Sequence, residues 1–381
     1  MTADRCVASP VQAAKMSDIL PEVKGIIQSY RPCMITLAQL YTGGVGSEIV
    51  RRLAGHPQLQ LVGVLVHSPE KAGHDSGELV GVEPNGITTT QDVDEIIALR
   101  PDAAIYSGML WDHELIARLL EAGINVYTGM GGYFLPGQPE YDALQAAGLK
   151  GNASFAAGGN IPGLISDVFP LFLSGYTGRI RHIRAWQRNH VETYPSAAQL
   201  EQGLGIGLPP GSNDAEEMVD AGWVWAMRQS ANMIATAMGF ECTDLVLSEK
   251  RVALAPHAVT LPTSGLHIAE GHVAALQWRF SGFAGDHEFL TITNEQSAML
   301  GLGPGWRENH EEPPWRVEID GSPPIVATFG WPDGVAPATA NALLNTARAM
   351  NTIPRLVAAP AGCVSVLDFP AAVAGDGLRV D

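Results

Sequence analysis

The sequence predicts an α/β protein with an N-terminal parallel sheet and a second, α+β region with a mixed or antiparallel sheet. Between residues 34 and 148, short and almost continuously apolar strands alternate with helices, as in a parallel sheet covered on both faces. Beyond residue 179, longer segments alternate apolar and polar residues, which is typical of half-exposed strands. The 381 residues also exceed what one hydrophobic core usually serves, so two domains are expected.

The first strand, turn and helix are the clearest elements. The apolar run from Met34 to Leu40 stops at glycines and gives way to the amphipathic segment from Glu48 to Leu53. The strands predicted for the first sheet are residues 34–40, 59–66, 102–107 and 125–128. Helices follow the third and fourth of these strands, the latter near residues 140–148. This strand and helix alternation predicts parallel neighbours.

The second half contains longer strands and two helices. Its predicted strands are residues 179–191, 245–254, 272–280, 287–294, 315–319 and 323–329, with a turn at Asp320-Gly321 between the last two. One long helix is predicted from Asp214 to Met238, ended by Gly239. Its tryptophans and methionines recur at helical spacing, which favours core packing over a substrate contact. A last helix, Ala338 to Met350, precedes the segment 353–357.

Composition and charge limit the classes of function. Hydrophobic residues make up 46% and charged residues 17% of the chain, which leaves no room for a long disordered region. The net charge of -17 opposes binding to nucleic acid or to anionic membranes. The four cysteines lack the spacing of zinc ligands, and the acidic loop 308–312 has neighbouring side chains that rarely converge on one ion. We expect a soluble cytoplasmic protein without metal, nucleic acid or membrane partners.

The turn from Tyr41 to Gly46 joins the first strand to the first helix and predicts a dinucleotide site. A pyrophosphate needs free N–H groups at a helix N-terminus, and glycine lets the backbone approach it. Gly43 and Gly46 match the second and third glycines of GxGxxG, whereas Tyr41 replaces the first. The strand before the turn and the helix after it supply the Rossmann context. The predicted cofactor-binding residues here are Thr42, Gly43, Gly44, Val45 and Gly46. The alternative is a turn that only joins strand to helix.

The end of the second predicted strand bears on the choice between NADP and NAD. An NAD-specific site places Asp or Glu there, on the ribose 2′-hydroxyl. Here the residues are His67, Ser68, Pro69, Glu70 and Lys71. His67, Ser68 and Lys71 would suit a 2′-phosphate, so we predict NADP. Glu70, one step later, keeps NAD as the alternative.

Further motifs follow the turn in a characteristic order. They are residues 61–73, 121–126, Ile161-Pro162-Gly163-Leu164, Glu192-Thr193-Tyr194, 351–354, 358–362 and Leu367-Asp368. Over most of residues 34–370 the chain thereby resembles the family built on a dihydrodipicolinate-reductase-like N-terminal domain, with 2,4-diaminopentanoate dehydrogenase and the native amine dehydrogenases. The resemblance implies that the nicotinamide lies at Ser107-Gly108 and Thr128-Gly129. It also implies that substrate is held between this edge and the second domain.

The chain departs from the family at two places. The amine dehydrogenases resemble one another in a glutamate pair, just after the fifth strand, that binds and deprotonates the amine, but Gly131 and Gly132 stand there in this chain. Amine chemistry therefore requires a relocated acid and is kept as an alternative. The family's His-Pro-Gly or Asn-Pro-Gly has become Ile161-Pro162-Gly163, and we predict that Asn160 binds substrate instead.

Three residues are candidates for the proton donor that hydride reduction of C=O or C=N requires. They are Tyr194, His190 and Tyr133. The resemblance places Tyr194 in the substrate pocket, although it could equally be a buried tyrosine held by one backbone hydrogen bond. His190 could equally be a solvated residue at a strand end.

Together these observations predict an NAD(P)H-dependent oxidoreductase that transfers hydride to or from a carbonyl or imine carbon of a small, fairly apolar substrate. The alternatives are an amine dehydrogenase and a non-catalytic NADPH-binding sensor. The predicted domains are a leader (1–30), a Rossmann domain (31–157), a substrate-binding domain that forms a homodimer (158–340), and a C-terminal helix and tail packed on the Rossmann domain (341–381).

Overall fold

The computed structural model describes residues 34–299, 301–303, 306, 314–332, 335 and 337–368. The predicted leader and the acidic loop 308–312 lie outside the described residues. The strands are β1 (Ile35–Leu40), β2 (Leu59–Leu65), β3 (Thr89–Thr90), β4 (Ala103–Tyr106), β5 (Asn125–Thr128), β6 (Ser154–Ala157), β7 (Gly178–His190), β8 (Asp244–Leu254), β9 (Val259–Thr260), β10 (His267–Ile268), β11 (Val273–Ala284), β12 (His287–Ser297), β13 (Trp315–Ser322), β14 (Ile325–Phe329) and β15 (Gly362–Cys363). The α-helices are α1 (Gly44–Leu53), α2 (Ser76–Leu79), α3 (Val93–Ala98), α4 (His113–Glu121), α5 (Tyr141–Gly151), α6 (Phe169–Ser174), α7 (Asn213–Met238) and α8 (Pro337–Val357). A 3-10 helix spans Pro69–Lys71, and π-helices span Leu164–Val168 and Gln199–Gly203.

The first sheet confirms the predicted parallel, Rossmann-type sheet. Its strand order is β15-β6-β5-β4-β1-β2-β3, and all of its described pairings are parallel. The central strands β1, β4 and β5 are almost wholly buried, as their continuous apolar sequences require. The chain order reverses between β1 and β4, and ligands of such sheets bind in the crevice at the carboxyl ends of the strands there.

The second sheet is mixed. Its order is β14-β13-β7-β12-β11-β8, in which β7 and β12 run parallel and the other neighbours run antiparallel. The parallel pair arises because α7 carries the chain back between β7 and β8, so that β8 starts again in the direction of β7. The prediction of half-exposed strands is wrong for β12, which is buried from Phe289 to Ser297.

Two predicted boundaries near the C-terminus are wrong. The last helix continues to Val357 instead of ending at Met350, with Pro354 inside it. Burial of Ile353 and Leu356 in the core offsets the helix hydrogen bond that proline cannot make. Asp320-Gly321 is not the hairpin turn, because Asp320 still pairs with His182 and β13 runs to Ser322.

Helices α7 and α8 connect the two sheets. Met227 and Met233 of α7 are buried, and Trp223 packs on Trp278 of β11, as the core interpretation expects. Trp225 instead reaches the apolar cluster of the first sheet. Helix α8 packs against α1 and β5, and β15 adds to the first sheet beside β6. None of the helices in the described ranges is long and apolar enough to cross a bilayer.

Candidate active site

Tyr41 keeps the backbone of the glycine turn although it replaces the first glycine. Its φ is 69°, in the left-handed region that glycine normally supplies. Its ring packs edge-on against Tyr106 at 5.6 Å and against His67 at 6.3 Å between ring centroids. These contacts hold a conformation that the residue type disfavours, so the incomplete fingerprint still forms the turn.

The rest of the turn fits a bound pyrophosphate. A Cβ on Gly46 would lie 2.0 Å from the Tyr41 carbonyl oxygen and 2.8 Å from Gln39 Nε2, so only glycine allows this close packing. A Cβ on Gly43 would meet no atom within 4 Å, so that side of the turn is open. Helix α1 begins at Gly44, and its first N–H groups have no partners within the helix. The buried Thr42 hydroxyl also has no partner among the described residues.

Lys71 brings positive charge to the turn. Its ammonium nitrogen Nζ donates to the Thr42 carbonyl oxygen at 3.4 Å. Ser68 precedes the 3-10 helix after β2, and exposed Glu70 lies within that helix. Three of the predicted cofactor residues, His67, Ser68 and Lys71, therefore lie on one segment, of which His67 and Lys71 contact the turn.

The ends of β4 and β5 form the edge predicted for the nicotinamide. Gln39 Nε2 donates to Ser107 Oγ at 3.0 Å, which ties the end of β4 to β1. A Cβ on Gly108 would lie 2.2 Å from the Tyr106 hydroxyl oxygen. The Thr128 hydroxyl is buried and accepts the Met130 N–H at 2.9 Å, so this side chain fixes its own loop. Gly129, by contrast, is exposed at the edge.

Gly131 and Gly132 are packed against aromatic rings. Both adopt left-handed φ values, 81° and 66°. A Cβ on Gly131 would lie 2.7 Å from the Trp111 ring and 2.9 Å from Trp225, and one on Gly132 would lie 2.7 Å from Trp111. Trp111 thus fills the space that side chains at these positions would need. The packing, as well as the sequence, therefore excludes a glutamate at these two positions.

Tyr133 is directed to the backbone of the same loop. Its hydroxyl donates to the Gly129 carbonyl oxygen at 2.9 Å. Burial raises the pKa of Tyr133 to about 12, so the phenol stays protonated at neutral pH. Its proton already has an acceptor in this structure.

Asn341 of α8 brings two of the predicted residues together. Asn160 Nδ2 donates to the Asn341 carbonyl oxygen at 3.1 Å. Burial raises the pKa of Tyr194 to about 12, and the nearby side chain of Asn341 partly opposes that rise. A Cβ on Gly44 would lie 3.4 Å from Pro195, the residue after Tyr194. The loop after β7 therefore packs over the glycine turn. We call the boundary between the two sheets at Asn160, Tyr194, Pro195 and Asn341 the seam.

His190 is the last residue of β7, four positions before Tyr194. Burial lowers the pKa of His190, and the charge of Arg188 lowers it further. Its Nδ1 atom is buried without a partner among the described residues. A neutral imidazole at this place can exchange a proton only if a ligand or water reaches that nitrogen.

Asp167 is a buried carboxylate that the sequence did not single out. Its Oδ2 accepts from Ser230 Oγ at 2.7 Å, Gly163 N at 3.0 Å and Ser166 Oγ at 3.2 Å. Its Oδ1 has no partner within the described part of the chain. Desolvation by burial raises the pKa of Asp167 to about 6, and its charge in turn helps raise the pKa of Tyr133.

The position of Asp167 depends on an irregular backbone. It lies on the π-helix Leu164–Val168, an element that is rare and frequent at functional sites. Gly163 before it has φ 131°, and a Cβ there would lie 2.0 Å from the Gly159 carbonyl oxygen. The only sequence signal was one acid, beside Ser166, between the apolar pairs Leu164-Ile165 and Val168-Phe169. In the described ranges, no three His, Cys, Asp or Glu side chains gather as a metal site would require.

Comparison with known proteins covers both halves of the chain. Residues 164–378 match the family model of the 2,4-diaminopentanoate dehydrogenase C-terminal domain, and residues 41–124 match that of the dihydrodipicolinate reductase N-terminus. An amine dehydrogenase of Streptomyces virginiae is 29% identical over 354 residues, which are 88% of this chain and 96% of that protein. A 4-hydroxy-tetrahydrodipicolinate reductase of Synechocystis sp. is 34% identical over 68 residues, 18% of this chain and 25% of that protein.

A solved structure shows the same fold. The amine dehydrogenase from Mycobacterium smegmatis has a TM-score of 0.73 at 19% identity, covering 89% of this chain and 97% of that chain. The resemblance expected from the motifs is therefore confirmed in both halves of the chain. The chain belongs to the family of the 2,4-diaminopentanoate dehydrogenase C-terminal domain and is an NAD(P)-dependent oxidoreductase.

Proposed function

We propose that the protein is an amine dehydrogenase that transfers hydride between NADP(H) and the carbon of an amine or imine. The observation that carries this proposal is the similarity to the Streptomyces virginiae amine dehydrogenase over 96% of its length. That similarity covers 88% of this chain, so it extends well beyond the dinucleotide half alone. Similarity limited to the dinucleotide domain would support the class of cofactor but not the reaction.

The glycine turn and the segment after β2 hold the cofactor in this proposal. The free N–H groups at the start of α1 and the open side of Gly43 suit the pyrophosphate. Lys71, with its ammonium at the turn, and the neighbouring Ser68 suit a 2′-phosphate, which favours NADP over NAD. When bound, the nicotinamide supplies the hydride chemistry, and the protein supplies orientation and electrostatics.

The seam supplies the substrate site. Asn160 and Tyr194, joined through Asn341, bind the polar end of the substrate, and Tyr133 fixes the Gly129 carbonyl at the sheet edge. The Trp111 and Trp225 rings, 6.3 Å apart, form an aromatic wall against Gly131. This wall favours a fairly apolar substrate over a small dicarboxylate. Tyr194, with its protonated phenol, is the proposed hydrogen-bond donor, and His190 is the alternative.

A substrate panel tests the proposal. The full chain is assayed for NADPH and NADH oxidation with aldehydes and ketones, each with and without ammonium, and for NADP⁺ reduction with the matching amines. We expect oxidation that requires ammonium, and NADP⁺ reduction by amines, with NADPH preferred over NADH. Oxidation that is equally fast without ammonium would exclude the amine dehydrogenase.

A carbonyl reductase is the second candidate, and the packing of Trp111 on Gly131 and Gly132 favours it, because it leaves no room there for an amine-binding carboxylate. The same panel separates the two functions. NADPH binding without any turnover would instead support the sensor alternative. A homodimer formed through the second sheet and a cytoplasmic location remain predictions.

A further inference from the structure

An amine dehydrogenase must stabilise positive charge on nitrogen. The substrate amine is protonated in water and gives that proton to water before it reacts. Removal of hydride from the carbon of the neutral amine then turns its nitrogen lone pair into the second bond of C=N and leaves a cationic iminium. The hydride and its electron pair pass to the oxidised nicotinamide cofactor. A fixed negative charge in a site that excludes water lowers the energy of such a cation. The positions of Gly131 and Gly132 cannot provide one, because their Cβ atoms would overlap Trp111.

Asp167 has the geometry of a preorganised charge. Three donors converge on Oδ2, namely the Ser230 and Ser166 hydroxyls and the Gly163 N–H, while Oδ1 is open among the described residues. The side chain is only 1% exposed, so neither solvent nor mobile ions screen it. A buried charge with an unused acceptor is costly unless something offsets the cost.

The same helix links Asp167 to the aromatic wall. Ser230 bonds Asp167, and its neighbour Gln229 accepts the Phe134 N–H at 3.2 Å, beside Tyr133. Trp225, five positions before Ser230 on α7, packs against Gly131, and the charge of Asp167 helps raise the pKa of Tyr133 in the same loop. Asp167 is therefore linked to the loop from Gly131 to Phe134 through neighbouring residues of α7.

We propose, building on the amine dehydrogenase function, that Asp167 is a positioning residue that stabilises the cationic amine and iminium of the substrate in place of the missing glutamates. It acts through its charge and need not touch the substrate. The titratable group that interacts with it from a neighbouring element is Tyr133, which stays neutral in the working pH range. Ser230, Ser166 and Gly163 are uncharged donors, so Asp167 provides the only change of charge within this group of contacts.

Substitution of Asp167 by asparagine tests the proposal, because it removes the charge and keeps the shape. We expect kcat/KM for amine oxidation to fall on the order of 10- to 100-fold, as for loss of one preorganised electrostatic interaction. Binding of NADP⁺, measured by titration calorimetry, should be unchanged. We expect kcat/KM of the wild type to decline below about pH 6, and the variant should lose this decline. Asp320→Asn, an equal change of charge at a partly exposed position of β13, is the matched control and should behave as wild type.

A second variant separates an electrostatic role from a structural one. Ser230→Ala removes the shortest hydrogen bond to the ionised carboxylate, so the acid limb of the pH profile should move up by about one unit. A purely structural aspartate would leave that limb in place. Asp167→Asn with wild-type kcat/KM and an unchanged acid limb would overturn the proposal, as would an unmoved limb in Ser230→Ala. A wild-type enzyme that oxidises no amine would instead overturn the proposed function itself.

Discussion

Because the carboxyl of Asp167 is buried, we expect it to make the free energy of unfolding depend on pH. In the folded state the pKa of this carboxyl is about 6, against an ordinary value of 3.8. Between these values the folded protein binds more protons than the unfolded chain, so the free energy of unfolding falls as the pH rises through this window. The gap of about 2 pKa units corresponds to about 3 kcal/mol. The side chain is buried, so solvent does not reduce this figure.

The Asp167→Asn variant should escape this loss. Its free energy of unfolding relative to wild type should rise by about 3 kcal/mol from about pH 4 to about pH 7. Chemical denaturation of both proteins at both pH values measures the change, and subtraction removes every other titrating group. At about pH 4 the wild-type carboxyl is protonated, so the variant differs from wild type there in hydrogen bonding and not in charge. The control variant Asp320→Asn should show no comparable rise. A difference from wild type that stays constant with pH would refute the buried, pKa-raised carboxylate.

Further substitutions test the turn and the seam. Gly46→Ala should lose both stability and NADPH binding, because its Cβ would lie 2.0 Å from the Tyr41 carbonyl oxygen. Gly43→Ala should keep the thermal midpoint and weaken NADPH binding alone, since its Cβ enters the open side of the turn. Equal effects of the two variants on the melting temperature would contradict this. Lys71→Gln should weaken NADPH on the order of tenfold and leave NADH nearly unchanged in paired titrations, and an equal loss for both would argue against a 2′-phosphate contact. Tyr194→Phe should lower kcat on the order of 10- to 100-fold with normal NADPH binding, and full turnover would remove its proposed role. Gly131→Ala should lower the melting temperature, because φ 81° and the Trp111 ring both oppose a side chain, and an unchanged midpoint would mean that the ring can move.

The first sheet could be predicted from the sequence because its strands are short apolar runs between turn residues. β5 has the predicted bounds, and β1, β2 and β4 differ from theirs by a residue at one or both ends. The glycine turn was recognisable from its place between a strand and a helix. Neither feature depends on contacts that are distant in sequence.

Other features depend on such contacts and could not be predicted. Tyr41 adopts its left-handed backbone where its ring packs on Tyr106 and His67. The parallel pairing of β7 with β12 depends on where α7 returns the chain. Pro354 lies inside α8 because buried neighbours offset its missing N–H.

The candidate site was predictable in the same uneven way. The residues of the turn were visible as a motif, but Asp167 and Asn341 acquire their roles only through partners elsewhere in the chain. Ser230, 63 positions away, holds Asp167, and Asn160, 181 positions away, bonds Asn341. The two-residue strands β3 and β15 were also missed, because two residues carry no periodicity.

Isotope transfer tests most directly whether the protein moves hydride between an amine carbon and the nicotinamide. The full chain is incubated with NADP⁺ and an apolar amine that carries deuterium on the carbon bearing nitrogen, and the reduced cofactor is examined by NMR. The proposed function predicts deuterium on the reduced nicotinamide ring, together with release of the ketone or aldehyde and ammonium. Reduced cofactor without deuterium, or no reduction with any amine of the panel, would contradict it.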